Sequence, residues 1–283
     1  MSSYLEQFNY QFMRPAGIPV QVDDYKNPKL RRFVFLHGLM GYGMNWRRIA
    51  TGLQQNDIAL VFDQRGHGKS IKPVTGYAPE DYADDLELIR RDLEWEDFNL
   101  VGHSMGGRTA LMYAARFPER VRRLLIEDIG PESKAHAVDY YKRMLEAVPT
   151  PFPSKKEAKE FFLNEFPKLG FSKSHPETLG QYLYSNMIDL PDGRADWRFP
   201  KEAILLSVSQ GREKDHWDEL RSLSMPTMIV RGADSSELTQ DVYEQMIASN
   251  PRIRGQVVPN AGHWVHSDQP EVFLRILLEF FRE

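Results

Sequence analysis

The 283-residue chain contains no cysteine. That excludes disulfides, thiol catalysis and Cys-ligated zinc, and it leaves the redox compartment open. No apolar run approaches the roughly 20 residues that a membrane span requires. The first residues, Met1-Ser2-Ser3-Tyr4-Leu5-Glu6-Gln7, have neither the basic start nor the apolar stretch of a secretory signal. Positive charge is not in excess, since 36 Lys and Arg face 40 Asp and Glu for a net charge of −4. No basic stripe therefore offers itself to nucleic acid or to an anionic membrane surface. The eight histidines (37, 67, 103, 136, 175, 216, 263 and 266) include no His-x-x-x-His or His-Glu-x-x-His spacing, so no histidine zinc site is expected. These absences predict a chain without a nucleic-acid partner or membrane span, cytoplasmic by default. What is present, 41% hydrophobic and 27% charged residues, suits one large domain or a domain with an insertion.

Short β-type runs alternate with helical stretches. Strands are predicted at 32–36, 58–62, 98–101, 121–126, 227–230 and 253–258, with helices at 44–55, 80–94, 105–117, 238–249 and 269–282. This alternation predicts an α/β fold with a mostly parallel sheet and right-handed crossovers. Residues 8–12 and 18–22 are candidates for an antiparallel hairpin at one edge. From 132 to 221 the pattern is helical throughout, with proline-rich turns and no convincing strand. That stretch reads as a helical cap inserted into a core formed by 1–131 and 222–283.

In open α/β sheets ligands bind beyond the carboxyl ends of the strands. The polar and glycine-rich residues gather there: His37-Gly38, Asp63 to Ser70, His103-Ser104, Glu127-Asp128, Asp234 and His263. Among them Gly102-His103-Ser104-Met105-Gly106 sits between a strand and a helix, the setting of a nucleophile elbow. The five letters alone carry little, because about one chain in ten of this length holds such a pattern by chance. Their placement makes Ser104 the candidate nucleophile.

A serine needs a base, and histidine is suited to the task by its pKa. His263, in Pro259-Asn-Ala-Gly-His-Trp264 after the last strand, is the best placed. His266 is the second candidate and reads rather as a surface or cap contact. His103, adjacent to the serine, should point elsewhere. An oxyanion hole needs backbone N–H donors, here assigned to Met105 at the start of its helix and to Leu39 in the glycine-rich loop His37 to Gly43. Asp63-Gln-Arg-Gly-His-Gly-Lys-Ser70 lacks the spacing of a phosphate loop and reads as a turn supporting the site. The acid that orients the histidine should lie between Ser104 and His263 in the chain. Asp128 and Asp234 both qualify. Strand alternation puts Glu127 and Asp128 on opposite faces, so one can orient His263 while the other makes a structural contact.

Taken together, His37-Gly38, Asp63-x-Arg65-Gly66-x-Gly68-x-Ser70, Gly102-His-Ser-Met-Gly-Gly107 and Gly262-His263 resemble the α/β-hydrolase fold superfamily. They span residues 33 to 263 in the superfamily's order. Ile126-Glu-Asp-Ile-Gly-Pro131, with Asn260-Ala-Gly-His-Trp-Val-His266, is similar to a branch of short-acyl esterases and alcohol acetyltransferases. That branch places the acid after the strand that follows the elbow, which implies Asp128. Where the usual arrangement has the acid, three or four residues past Gly232, this chain has Ser235 and Ser236. The resemblance implies a carboxylic ester hydrolase in which Ser104 attacks, His263 is the base and Asp128 its orienter. It would need no metal or organic cofactor, would take a small-molecule ester, and would be a monomer or homodimer. Thioester cleavage, acyl transfer and carbon–carbon hydrolysis are open to the same residues, as is a non-catalytic receptor on the same scaffold.

Overall fold

The computed structural model describes residues 3–134 and 137–282. The core strands are β1 (Tyr10–Met13), β2 (Arg31–Leu36), β3 (Asp57–Phe62), β4 (Phe98–His103) and β5 (Val121–Glu127). Two short strands, β6 (Met187–Asp189) and β7 (Ala195–Trp197), follow in the insert, and β8 (Thr227–Gly232) and β9 (Ile253–Val258) complete the sheet. The helices are α1 (Arg47–Ala50), α2 (Pro79–Asp92), α3 (Met105–Arg116), α4 (Ala137–Ala147), α5 (Lys155–Glu160) and α6 (Pro176–Ser185). They continue with α7 (Lys201–Gly211), α8 (Trp217–Ser222), α9 (Gln240–Ser249), α10 (Val265–Asp268) and α11 (Pro270–Arg282).

Seven strands form one sheet in the order β1-β3-β2-β4-β5-β8-β9, parallel except for β1, which runs antiparallel on β3. From β2 the chain crosses to β3 on one side and later to β4 on the other. This reversal opens a crevice at the carboxyl ends of β2 and β4. Alternation along each strand divides the core between two faces. Phe33 and Phe35 pack with Trp46, Phe273 and Leu277 under α1 and α11. Val34 and Leu36 pack on the other face with Leu86, Ala110 and Val242 under α2, α3 and α9. Local signals set the helix ends. Pro79 starts α2 while Asp81 Oδ2 accepts the Ala78 N–H at 2.9 Å, and Thr239 accepts from Val242 N–H ahead of α9.

Three expectations are corrected. Residues 18–22 form no strand: Pro19 lacks a donor and Val22 is 90% exposed, so β1 pairs with β3 without a hairpin partner. The helix expected over 44–55 shrinks to a 3₁₀ turn (Gly43–Trp46) and α1, and turns at Thr51 and Gly52 end it. The insert is not purely helical, since β6 and β7 pair as a small antiparallel hairpin around Pro191-Asp192-Gly193. Three-residue strands are too short to show alternation, whereas Asp192-Gly193 is itself a hairpin-turn signal.

Between β5 and β8 the insert builds its own core from residues such as Met144, Phe162, Phe166, Leu183 and Trp197. It closes over Leu39 and Met40 at the mouth of the crevice. His216 N–H donates to Pro131 O at 2.8 Å and pinches the base of the insert. Leu220 of α8 already packs in the sheet core. Among the described residues no helix is long and apolar enough to cross a membrane.

Candidate active site

Ser104 stands between β4 and α3 with φ 53° and ψ −117°. A positive φ is strained for a non-glycine residue. The flanking glycines make the turn possible: a Cβ on Gly102 would run into Gly106 O, and one on Gly106 into Leu36 O. Strand and helix therefore cross at backbone contact. The Ser104 hydroxyl lies 2.9 Å from His263 Nε2, and His263 Nδ1 lies 2.8 Å from Asp128 Oδ2. All three residues stand at strand ends, on loops after β4, β9 and β5.

Asp128 is fully buried and, like Ser104, has a positive φ, 51°. Its Oδ1 accepts the Gly232 N–H at 3.0 Å, and Ser235 Oγ donates to its Oδ2 beside His263. Burial pushes the Asp128 carboxyl upward, while His263, Ser235 and Gly232 oppose it by bonding to the charged form. Asp234, the other candidate acid, does not reach His263. Its side chain is 47% exposed and meets His175 Nε2 at 3.3 Å. Ser235 therefore serves the acid from the place where the usual arrangement would put the acid itself.

His103 and His266 form the bed beneath His263. His103 turns away from the serine, and its Nε2 donates to His263 O at 2.9 Å. Burial, then the neighbouring His263 and His266, drives its pKa well down, so it stays neutral. His266 is buried, contrary to the expected surface or cap contact. Its backbone N–H and its Nδ1 each lie 2.9 Å from Glu127, and its ring stacks on Trp46 at 4.4 Å. Glu127 and Asp128 thus face opposite ways, one holding His266 and the other His263. His136 lies outside the described residues.

Leu39 and Met105 supply the free amides. Neither N–H meets a backbone or side-chain acceptor among the described residues. The Leu39 loop is clamped from three sides. Met40 N–H donates to His67 Nε2 at 3.1 Å, Tyr182 Oη donates to Leu39 O at 2.9 Å, and His37 Nδ1 donates to Gly38 O at 2.8 Å. Burial lowers His37 to about 4 and, with the neighbouring His37, lowers His67 to about 3. Both rings are neutral and act as fixed donor–acceptor struts. The Asp63 turn anchors the same loop, because Asp63 Oδ1 accepts the Gly43 N–H at 2.8 Å. Tyr182 was not foreseen from sequence, since nothing local marks a cap tyrosine as a loop clamp.

Two cavities meet at Ser104 and Leu39. One, about 30 Å³, is a narrow slot running along α3 past Met105 and Arg108 to Arg212. The other, about 330 Å³, is wider and opens past His263, Trp264 and His175. Tyr141 lines both. Among the described residues no group of three or more His, Cys, Asp or Glu is placed to hold a metal.

Comparisons with known proteins agree with this fold. A family profile described as "alpha/beta hydrolase fold" matches residues 31–270. The sn-1-specific diacylglycerol lipase ABHD11 of Danio rerio is 30% identical over 275 residues, 95% of this chain and 83% of that protein. Esterase YbfF of Escherichia coli (strain K12) is 24% identical over 88% of this chain and 92% of its own length. The crystal structure of E-2-(acetamidomethylene)succinate hydrolase superposes with a TM-score of 0.79 at 25% identity, covering 98% of this chain and 95% of that one.

Proposed function

The chain belongs to the α/β-hydrolase fold family, and we propose that within it the protein is a serine hydrolase of carboxylic esters with short to medium acyl chains. The observation that carries the reading is the unbroken line Ser104–His263–Asp128, with contacts of 2.9 and 2.8 Å. Relatives named esterase and lipase support it.

In this mechanism Ser104 Oγ attacks the ester carbonyl while His263 Nε2 takes its proton. Asp128 holds the Nδ1–H tautomer and stabilises the imidazolium. The carbonyl oxygen, now negative, is met by the Leu39 and Met105 N–H groups. Collapse of this intermediate breaks the bond to the alkoxy oxygen. That oxygen leaves as an alcohol with the proton from His263, and Ser104 remains acylated. Water then loses a proton to His263 and attacks the acyl carbonyl. The carboxylic acid departs, and Ser104 regains its hydrogen.

The two cavities take different halves of the ester. The leaving oxygen must receive its proton from His263, so the alcohol belongs in the wider cavity, which His263 lines. The acyl group then lies in the narrow slot, which His263 does not line, and the slot limits its length. We divide the chain correspondingly into an α/β core (1–131 and 222–283) and a cap (132–221) that roofs both cavities. The substrate is a small-molecule ester, and no step requires a cofactor.

A fluorophosphonate probe should label the wild type and not Ser104→Ala. 4-Nitrophenyl esters of increasing acyl length should be turned over with a preference for the short members. Absence of labelling, with turnover no faster than Ser104→Ala, would overturn the reading.

A further inference from the structure

Two arginines in the narrow slot do not suit a plain hydrocarbon acyl pocket. Arg108, on α3, is 4% exposed, and the Arg212 side chain, just past α7, is 10% exposed. Arg108 donates Nη1 to Gly211 O at 3.0 Å and Nη2 to Glu132 O, both uncharged carbonyls, and its buried Nε has no partner among the described residues. Arg212 donates Nη2 to Glu237 Oε2 at 3.1 Å, a carboxylate that also takes Lys134 Nζ at 3.2 Å. Arg212 Nη1 is buried without a partner among the described residues.

Charge is also out of balance. Arg108 and Arg212 have Glu237 and Glu132 near them, and Glu237 is already shared by two cations. Burial and then the Arg212 charge pull the Arg108 pKa down to about 9, the direction for a cation short of counter-charge. Against the upward push of burial, Arg212, His263 and Lys134 hold Glu237 at about 2, so it is ionised and committed. Buried guanidinium donors without acceptors are unfavourable. Stability alone would place apolar side chains at the end of a slot that also holds Leu39 and Val208.

We propose that the slot receives an acyl chain ending in a carboxylate, so that the preferred substrates are half-esters of short dicarboxylic acids. The free carboxylate meets the guanidinium groups of Arg212 and Arg108, which line the slot, as planar guanidinium groups favour. Arg108 lies four residues beyond Ser104, one helical turn or about 6 Å along α3. That distance leaves room for two or three methylenes between the attacked carbonyl and the carboxylate, the succinate and glutarate lengths. The proposal rests on the serine-esterase reading, because the slot is the acyl side only if His263 protonates the leaving alcohol.

The test compares ethanol release from monoethyl succinate with that from ethyl succinamate, its neutral isostere, and from ethyl butyrate. The half-ester should exceed the amide in kcat/KM by about thirty-fold or more, the worth of a charge-assisted contact. Arg212→Gln should reduce that ratio below about threefold, and Arg212→Lys should restore part of it. Should the variants not fold, wild-type inhibition decides: succinate should compete with ethyl butyrate far better than the uncharged diamide succinamide does. Hydrolysis of ethyl butyrate with no preference for the half-ester, and no stronger inhibition by succinate, overturns the carboxylate proposal and leaves the esterase reading standing. Turnover of none of the esters above Ser104→Ala overturns both.

Discussion

Replacing Asp128 by Asn should abolish most of the activity while leaving the fold in place. The two Asp128 oxygens accept three donors: the Gly232 N–H at 3.0 Å, His263 Nδ1–H at 2.8 Å and the Ser235 hydroxyl. Asparagine offers one acceptor oxygen and one NH₂. The Gly232 donor belongs to the backbone and cannot turn, so the amide oxygen stays on Gly232. The NH₂ then faces His263 and donates to Nδ1. The ring proton moves to Nε2, which points at Ser104 from 2.9 Å, and the serine loses its base. A wrong tautomer of this kind lowers kcat by about 10⁴ in trypsin-type triads. The expected loss here is about 10³ to 10⁴ in kcat, or about 4–5.5 kcal/mol of barrier, with KM changed by no more than a few-fold. Asp234→Asn is the control. Its side chain, 47% exposed and bonded to His175, should change kcat less than about threefold. Both variants are assayed with 4-nitrophenyl acetate at neutral pH beside thermal melts that verify folding. The reasoning is refuted if Asp128→Asn stays within about thirty-fold of wild type, or if Asp234→Asn loses more than about tenfold.

Three further outcomes are expected. Gly106→Ala should lower stability by at least about 2 kcal/mol, because its Cβ meets two backbone oxygens, Leu36 O and His37 O, that cannot move aside; an unchanged urea midpoint would contradict the close crossing of strand and helix. Tyr182→Phe removes the hydroxyl that clamps Leu39 O at 2.9 Å and should reduce kcat about three- to tenfold with little change in KM; unchanged kcat would remove the cap from any role in shaping the oxyanion loop. Acid should weaken the fold through His37 and His67, whose folded pKa values of about 4 and about 3 lie below the ordinary 6.5. Over that interval the unfolded chain binds more protons, so stability rises with pH. The contribution is complete above pH 6.5 and is lost as pH falls toward 4 and then 3. A denaturation midpoint that does not move between pH 7 and pH 4.5 would refute it.

Much of the fold was legible because periodicity and turn chemistry act locally. The six parallel strands fall where apolar runs end in glycine or polar clusters, and α2, α3, α9 and α11 match their expected spans within two residues at either end. Elements too short to display a period were not legible. The β6–β7 hairpin is one, and the truncated α1 is another. Edge pairing also escaped: β1 finds its partner in β3, about fifty residues away, through backbone hydrogen bonds that leave no sequence trace.

The site divides along the same line. Ser104 and His263 could be read from order and motif, because a nucleophile elbow needs its glycines in fixed sequence register. The choice between Asp128 and Asp234 could not be closed that way, since both stand at strand ends within one span of chain. Burial and direction decide between them, and these depend on how β5, β8 and β9 lie beside one another. The same holds for Ser235 bonding to Asp128, for His266 turned inward onto Glu127, and for Arg108 and Arg212 meeting at the end of one slot. Sequence alone therefore determined the sheet, the elbow and the chemistry available to it. Only tertiary structure decided which aspartate meets His263 and which charges gather at the end of the slot, because such contacts join residues distant in the chain through desolvation and geometry that no local pattern encodes.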